Sequence, residues 1–377
     1  MQKVEACLTI EDTEQIGRRV DQVIADSELP LNRSRLKSQN AEIYCNDRRV
    51  KVSHLTKLGD KVRIFYVPEP DTTLTAQKVE FGIIYEDDDV LVVNKPRGLV
   101  VHPGSGNFDN TLAHGLLFHH QNERKDFSSI DPSSNAVTAD AVTTDTEPWD
   151  DENQHLGANQ RAGIVHRLDK DTSGILITAK NTRALEFMQR EFSERRTEKR
   201  YLALSYGIPP RKKGQIDSRI LRHPQHRTVF TTDPKKGREA CTEYRVVREF
   251  HLFMGPAGNP EAAGPVQKGG KRAGPIPARE TCSYALLALR PITGRTHQLR
   301  VHLASQDCPI LGDPLYAARQ STRDPNFPEV PLMLHAYSLG IRLPGSGVLR
   351  VFRAPVPDDM LAVISELRTR HLQATET

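Results

Sequence analysis

The order of apolar and polar positions along the chain predicts several strands. Residues 61–67 alternate polar and apolar side chains and stop at Pro68, as a half-buried strand does. Residues 90–94 and 175–179 are mostly apolar runs rich in β-branched side chains, which is typical of buried strands. These three segments are therefore expected to belong to sheets.

A helix and a further strand follow the third of these segments. Thr182 is placed to cap a helix. The apolar side chains of that helix recur on one face, at Leu185, Met188 and Phe192. Residues 200–206 predict a strand in which Tyr201 faces away from the adjacent leucines. Because strands and helices alternate without a strict strand–helix–strand rhythm, we expect an α/β or α+β domain with a mixed sheet.

Length and composition limit the class of protein. The chain has 377 residues, which suits one large domain with a small one, or two to three ordinary domains. Its hydrophobic fraction is 37% and no long window is continuously apolar, so no membrane span is expected. The first residues lack the apolar core of a secretory signal, and the five cysteines lack the spacing of a zinc site or a disulfide framework. We therefore expect a cytoplasmic protein with free thiols.

The net charge of +4 is small, but the charges are unevenly distributed. Residues 17–63 hold eleven Lys or Arg against six Asp or Glu. Residues 126–152 hold eight acidic residues and no basic ones, and residues 255–279 hold six Gly and five Pro. Neither of the last two stretches can bury a core, so flexible insertions are expected at 125–160 and 254–279.

The densest group of chemically active side chains lies at residues 163–174. Two carboxylates, a histidine, an arginine, a lysine and hydroxyls stand there between apolar segments, as in an active-site loop. A solvated turn is the alternative. Three chemistries stay open: an aspartyl phosphatase, a metal site of His166 and Asp169, or an ionised carboxylate acting at a glycosidic carbon. The phosphatase spacing Asp-x-Asp-x-Thr is absent, and two ligands make a poor metal site.

Candidate cations for such a carboxylate lie at residues 290–303. This segment predicts either a strand with Gln298, Arg300 and His302 on one face, or a short helix capped by Thr296. A second basic group flanks Tyr201, and its members are Arg190, Arg195, Arg196, Lys199, Arg200, Arg211, Lys212 and Lys213. A basic strip with an aromatic ring suits RNA, although a solvated helix face gives the same pattern.

Five segments match, in order, the motifs of one known family. Residues 166–174, His-Arg-Leu-Asp-Lys-Asp-Thr-Ser-Gly, resemble the signature of the RluA-type pseudouridine synthases. The other segments that resemble motifs of this family are residues 93–103, 199–204, 294–303 and 309–316. The resemblance implies an α+β pseudouridine synthase fold over residues 80–370, with a mixed, largely antiparallel sheet and a central cleft.

Residues 13–70 resemble a second known domain, the alpha-L RNA-binding domain named for a small-subunit ribosomal protein. The matching features are Arg19-Val20-Asp21, Asn32-Arg33-Ser34-Arg35, Ile43-Tyr44-Cys45-Asn46 and Leu58-Gly59-Asp60-Lys61-Val62. This resemblance implies a small α/β domain that binds RNA phosphates through basic side chains such as Arg33, Arg35 and Lys37. Asn46 and Asp47 stand where glycines are usual in that domain.

The family resemblance implies a role for each of several residues. Asp169 matches the essential aspartate, which either attacks the anomeric carbon or removes the ribose 2′ hydrogen. Arg300 matches the arginine that pairs with this carboxylate, and Tyr201 matches the tyrosine whose ring packs on the target base. Arg167 is a candidate to fill the stack that a flipped uridine leaves. Further contacts with substrate or RNA are expected from His166, Lys95, His102 and Gln298.

The resemblance also implies the partners of the protein. The reaction involves no oxidation and no external nucleophile, so neither a cofactor nor a metal is expected. The expected partner is RNA, with ribosomal RNA as the first candidate and transfer RNA as the second, and the chain is expected to be a monomer. A non-catalytic RNA-binding or ribosome-assembly factor on the same scaffold is the alternative, and it would bind RNA without converting any uridine.

Overall fold

The computed structural model describes residues 3–27, 29, 31, 36, 41–66, 74–104, 107–123, 162–226, 228–253, 281–317 and 330–375. These residues divide into two compact units, one ending at residue 66 and the other starting at residue 74. The insertions expected at 125–160 and 254–279 lie outside the described residues, as do Arg33, Arg35 and Lys37. Among the helices described, none has both the length and the apolar character that a membrane crossing requires.

The first unit is a four-stranded antiparallel sheet with a short helix. Its strands are β1 Val4–Thr9, β2 Glu42–Cys45, β3 Arg48–Val50 and β4 Lys61–Tyr66, in the spatial order β1-β4-β2-β3. Helix α1, Val20–Ala25, packs Val23 and Ile24 into a core with Val62 and Ile64. The alternation in β4 agrees with the predicted strand. Strand β1 lies before residue 13, where the domain was predicted to begin. It pairs with β4 and so extends the sheet by one strand.

The turn between β2 and β3 adopts a left-handed backbone without glycine. Asn46 and Asp47 have φ values of 49° and 64°. The Asn46 side chain donates to Asp60 at 2.8 Å and accepts from the Lys61 N–H at 2.9 Å. Asn and Asp tolerate this conformation better than other residues with a Cβ, so they replace the usual glycines in this hairpin turn.

The second unit is built on one large mixed sheet. Its strands are β5 Gly82–Glu86, β6 Val90–Lys95, β7 Ser173–Ala179, β8 Glu198–Tyr206, β9 Lys213–Arg222, β10 Phe230–Asp233, β11 Arg238–Phe253, β12 Thr281–Pro291, β13 Leu334–Arg342 and β14 Leu349–Arg353. The spatial order is β10-β9-β11-β12-β8-β13-β7-β6-β5, and β14 pairs with β13. Among the described pairs of this sheet, β13 and β7 are parallel and the others are antiparallel. The expected mixed, largely antiparallel sheet is therefore confirmed.

The helices of the second unit are α2 Leu112–Glu123, α3 Thr182–Ser193, α4 Gln298–Ser305 and α5 Asp358–Thr375. Helix α3 is the predicted one, but Asn181 caps it rather than Thr182, because its side chain accepts from the Ala184 N–H at 2.9 Å. Helix α4 resolves the ambiguity of residues 298–303 in favour of a helix. Its N-cap is His297 and not Thr296.

Two large apolar clusters make up most of the core of the second unit. One contains residues of β6, β7, α2 and α3, among them Leu91, Leu176 and Met188. The other contains residues of β8, β12, α4 and α5, among them Leu204, Leu287 and Leu367. Tyr201 of β8 is half-buried and packs against both clusters, so the two clusters meet at this residue.

Candidate active site

Residues 163–172 form a loop that is fixed to β7 near both ends of that strand. At the end of the strand, Ile164 bridges to Thr178 and the Gly163 carbonyl accepts from the Ala179 N–H at 2.8 Å. Gly163 has φ +73°, and a Cβ there would lie 1.9 Å from the Ala179 carbonyl oxygen. Only glycine fits this close approach. At the start of the strand, the loop passes through Asp169 and enters β7 at Ser173.

A row of paired residues across five neighbouring strands places the loop beside Tyr201. Lys95 of β6 pairs with Gly174 of β7, and Gly174 pairs with Ala336 of β13. Ala336 pairs with Tyr201 of β8, which pairs with Leu289 of β12. Because Gly174 directly follows the loop, this register brings the loop and the tyrosine to the same part of the sheet.

Lys95 lies in the protein interior and holds the loop. Its Nζ donates to the carbonyl oxygens of Pro96, Leu99 and Lys170 at 2.8–2.9 Å, and the side chain is buried. Burial lowers the pKa of Lys95 to about 7, and the charges of Asp169 and Asp171 oppose this effect. All three donors of the ammonium group are used by backbone carbonyls. These contacts favour a role in fixing the loop over a contact with RNA.

The carboxylate of Asp169 contacts a buried arginine that a second carboxylate also holds. Arg300 Nη1 donates to Asp169 Oδ2 at 3.3 Å. Arg300 Nε and Nη2 donate to the two oxygens of Asp313 at 2.7 and 2.8 Å. Asp313 Oδ1 also accepts from the N–H groups of Leu315 and Tyr316. The guanidinium therefore has a fixed direction, with Nη1 facing Asp169.

Arg300 carries one positive charge between the two carboxylates of Asp169 and Asp313, so one negative charge remains in this group. Burial alone would lower the pKa of Arg300, but hydrogen bonds and charge from Asp313, together with the charge of Asp169, raise it above its ordinary value. Arg300 and Asp313 are both buried and neutralise each other, whereas the Asp169 side chain is 22% exposed. The carboxylate left over is thus the one that solvent and a ligand can reach.

His297 faces the same oxygen of Asp169. Its Nε2 lies 4.0 Å from Asp169 Oδ2, and its Nδ1 lies 3.0 Å from the Tyr316 hydroxyl. The Arg300 guanidinium lies 5.2 Å from the centre of the Tyr316 ring. Both groups that approach Asp169 therefore approach Oδ2, and within the described part of the chain Oδ1 has no hydrogen-bond partner.

Tyr201 is close enough to Asp169 for the two groups to interact electrostatically. Burial raises the pKa of the Tyr201 hydroxyl, and the charge of Asp169 raises it further. The hydroxyl is therefore neutral at physiological pH. The structure thus brings together the three residues expected to be catalytic, which are Asp169, Arg300 and Tyr201.

Two further predicted contact residues are used inside the protein. Gln298 accepts from the Thr293 hydroxyl and the Arg295 N–H, and it donates to the Cys241 carbonyl and the Thr242 hydroxyl. It thereby joins the start of α4 to β11. His166 Nε2 accepts from the Ile177 N–H at 3.0 Å, and its ring stacks on Phe192 with centroids 4.7 Å apart. Burial and the charge of Lys199 lower the pKa of His166 to about 3, so its ring is neutral.

The remaining predicted residues lie nearer the surface. Arg167 is exposed and precedes Asp169 by two positions. His102 is half-buried, in the segment that follows Lys95. Their proposed contacts with RNA stay predictions.

Three residues of the site were missed in the sequence, namely Asp313, Tyr316 and His297. Asp313 and Tyr316 lie within residues 309–316, and His297 lies within residues 294–303. Both segments resemble motifs of the family, and that resemblance was the available signal. No spacing rule indicates that Asp313 faces Arg300. The pairing depends on a turn in which Asp313 accepts two backbone N–H groups of its own loop.

The geometry is that of an enzyme site built around one partly exposed carboxylate. The chain matches the family RNA pseudouridylate synthase over residues 89–305. It is 31% identical over 371 residues to the ribosomal large subunit pseudouridine synthase D of Haemophilus influenzae, covering 96% of this chain and 94% of that relative. It is 35% identical over 360 residues to an RNA pseudouridine synthase of Aquifex aeolicus, covering 93% of each chain.

A similar solved structure is the human RNA pseudouridylate synthase domain containing 4. Its sequence identity is 23% and its TM-score is 0.48, and the match covers 76% of this chain and 93% of that one. The chain belongs to the RNA pseudouridylate synthase family. It is an RNA-modifying isomerase with a pseudouridine synthase fold.

Proposed function

We propose that this enzyme converts uridines of large-subunit ribosomal RNA to pseudouridine, with Asp169 as the catalytic residue. The choice of RNA is supported by relatives named ribosomal large subunit pseudouridine synthase D, which align with nearly the whole chain. Transfer RNA is the second candidate. A monomeric state and a cytoplasmic location stay predictions from the sequence.

The observation that carries the proposal is the asymmetric environment of the Asp169 carboxylate. Arg300 and His297 both face Oδ2, while Oδ1 has no hydrogen-bond partner in the described residues. The guanidinium of Arg300 holds one oxygen of this carboxylate, and the other oxygen stays available to the substrate. We therefore assign Oδ1 as the atom that meets the ribose of the target uridine.

The reaction requires one bond to break and another to form between the same two rings. The bond from uracil N1 to the ribose C1′ breaks, the uracil turns, and C5 forms a bond to C1′. C5 then loses its proton and N1 gains one, so that the product is an isomer of the substrate. Asp169 Oδ1 either attacks C1′ or removes the 2′ hydrogen, and in both cases it must be ionised and held in place.

Tyr201 and Arg167 complete the proposed site. Tyr201 belongs to the central strand β8 and packs against both cores, so its ring is a rigid surface for the uracil. Stacking of this kind is worth about 1–3 kcal/mol per base. The uridine must leave its own stack in the RNA, at a cost of a few kcal/mol. The exposed Arg167, two residues before Asp169, is proposed to occupy the position that the uridine leaves.

The test compares Asp169→Asn with Asp307→Asn. Both changes remove one carboxylate, but Asp307 is exposed at the end of α4, and its left-handed backbone (φ 55°) tolerates Asn. Each variant is incubated with large-subunit ribosomal RNA that lacks pseudouridine, and the product is mapped by carbodiimide adducts that stop reverse transcription.

We expect Asp169→Asn to bind the RNA and form no product, while Asp307→Asn behaves as the wild type. Product at the wild-type rate from Asp169→Asn would refute the catalytic assignment. Conversion of transfer RNA but not ribosomal RNA by the wild type would refute the proposed substrate.

A further inference from the structure

His297 connects Asp169 to the sheet through a single tyrosine. Its Nε2 lies 4.0 Å from Asp169 Oδ2, and its Nδ1 lies 3.0 Å from the Tyr316 hydroxyl. That hydroxyl accepts from the backbone N–H of Phe230, in strand β10, at 2.9 Å. A continuous series of polar contacts therefore runs from β10 to the carboxylate.

The hydrogen bonds of the Tyr316 hydroxyl favour one tautomer of the His297 ring. A tyrosine hydroxyl has one proton to donate, and here it already accepts from the Phe230 N–H. The hydroxyl is thus free to donate its proton to His297 Nδ1. A neutral imidazole that accepts at Nδ1 carries its proton on Nε2, the atom that faces the negative charge of Asp169.

The charged groups around His297 are compatible with this neutral form. Burial lowers the pKa of His297. The charges of Arg300 and Arg167 also lower it, whereas those of Asp169 and Asp313 raise it. Together these effects lower the pKa of His297, so the ring is neutral near pH 7. The tautomer of the neutral ring then decides which nitrogen can donate to Asp169.

The backbone of His297 indicates that the position of the ring is imposed by its surroundings. Its φ is 54°, in the left-handed region that a residue with a Cβ adopts at some cost. The ring packs edge-on against Phe230 at 5.4 Å and against Tyr316 at 5.8 Å, measured between centroids. Such strained residues persist where the surrounding contacts over-determine them, and they cluster at functional sites.

We propose that His297 is a positioning residue that donates a hydrogen bond from Nε2 to Asp169 Oδ2 when a uridine is bound, and that Tyr316 selects the tautomer that makes this possible. The distance of 4.0 Å exceeds a hydrogen bond, and catalytic contacts often tighten only in the substrate complex. Two donors on Oδ2 then aim Oδ1 at the ribose. The inference rests on the proposed role of Asp169.

Two substitutions at position 297 separate this role from a merely structural one. In His297→Gln the side-chain amide nitrogen takes the place of Nε2, so the donor to Asp169 is kept. In His297→Asn the shorter side chain reaches only the position of Nδ1, where its amide oxygen can accept from the Tyr316 hydroxyl, and the donor to Asp169 is lost. We expect kcat to fall about 10- to 100-fold in His297→Asn, with KM little changed, because a hydrogen bond to a charged group is lost.

For His297→Gln we expect a kcat within about tenfold of the wild type. A structural role predicts the opposite order, because Asn tolerates a left-handed backbone better than Gln does. Higher activity of His297→Asn than of His297→Gln would therefore overturn the proposal.

The tautomer itself is measured without turnover. Nitrogen-15 chemical shifts of the full chain, labelled at histidine, distinguish a protonated Nε2 from a protonated Nδ1. The chain has 14 histidines, and the signal missing in His297→Gln identifies His297. We expect protonated Nε2 in the wild type and a mixture of tautomers in Tyr316→Phe. Protonated Nδ1 in the wild type would refute this inference, whereas a wild type that converts no uridine would refute the proposed function.

Discussion

Asp313 is the residue whose replacement tests the charge arrangement of the site most directly. Its side chain is completely buried and accepts two hydrogen bonds from Arg300 and two from backbone N–H groups. In Asp313→Asn the side chain keeps its shape. It loses its negative charge, and its amide nitrogen meets either the Nε–H of Arg300 or an Nη2–H of Arg300 together with the two backbone N–H groups. Donors then face donors.

The expected cost follows from the burial of both partners. Removal of one partner of a buried ion pair costs about 3–5 kcal/mol, because an uncompensated charge is left behind. Asp169 still contacts Arg300 Nη1 at 3.3 Å and compensates part of that charge. We therefore expect the lower end, about 3 kcal/mol, which is a large fraction of the roughly 5–15 kcal/mol that stabilises a folded protein.

The measurement is the free energy of unfolding in urea, followed by circular dichroism, with Asp307→Asn as the control. We expect a loss of about 3 kcal/mol for Asp313→Asn that does not change with salt, since buried charges are screened little. The control loses less than about 0.5 kcal/mol, as is usual for a surface change. A loss in Asp313→Asn no larger than in the control would show that Arg300 does not depend on Asp313, and the reasoning would be refuted.

Three further predictions concern the scaffold of the site. Lys95→Met removes three hydrogen bonds to backbone carbonyls, so the free energy of unfolding in urea should fall by about 2–4 kcal/mol; an unchanged value would contradict the interior role. Gly174→Ala should fold poorly or lose more than about 2 kcal/mol in the same assay, because the residue has φ +113° and its new Cβ would lie 2.2 Å from the Ala336 carbonyl oxygen; wild-type stability would count against the described register. Burial lowers the pKa of His302 and His335 to about 4, so between pH 4 and 6.5 the unfolded chain binds more protons and stability rises with pH. Acidification through this range should cost up to about 1.4 kcal/mol per pH unit for each histidine, and His302→Gln should reduce that slope; an equal slope would contradict the assignment.

Much of the fold follows from local pattern. The runs at residues 90–94 and 175–179 are apolar except for one residue each, and they form β6 and β7, which lie inside the sheet between other strands. Residues 61–66 alternate because β4 has only one buried face. The cap of α3 was misplaced by one residue, because Asn and Thr are both good N-caps and stand side by side.

The types of residue in the site were predictable, but the use of each residue was not. Lys95 and Gln298 are polar side chains in family motifs, and they were expected to contact RNA or substrate. In the structure, the donor groups of both side chains form hydrogen bonds to acceptors inside the protein. A sequence shows that a side chain can donate hydrogen bonds, but it does not show which carbonyls the fold brings within reach.

The chain alone was sufficient to predict an α+β enzyme and to select Asp169, Arg300 and Tyr201 as candidate catalytic residues, because local periodicity and short motifs depend on neighbours in sequence. The charge balance around that aspartate was decided by folding. Asp169 and Arg300 are 131 residues apart along the chain. Asp313 contacts Arg300 and His297 faces Asp169, each from a different segment of the chain. Electrostatic and hydrogen-bonding energies depend on distances of a few ångströms, and these distances exist only once the sheet has set its register and α4 has packed against it.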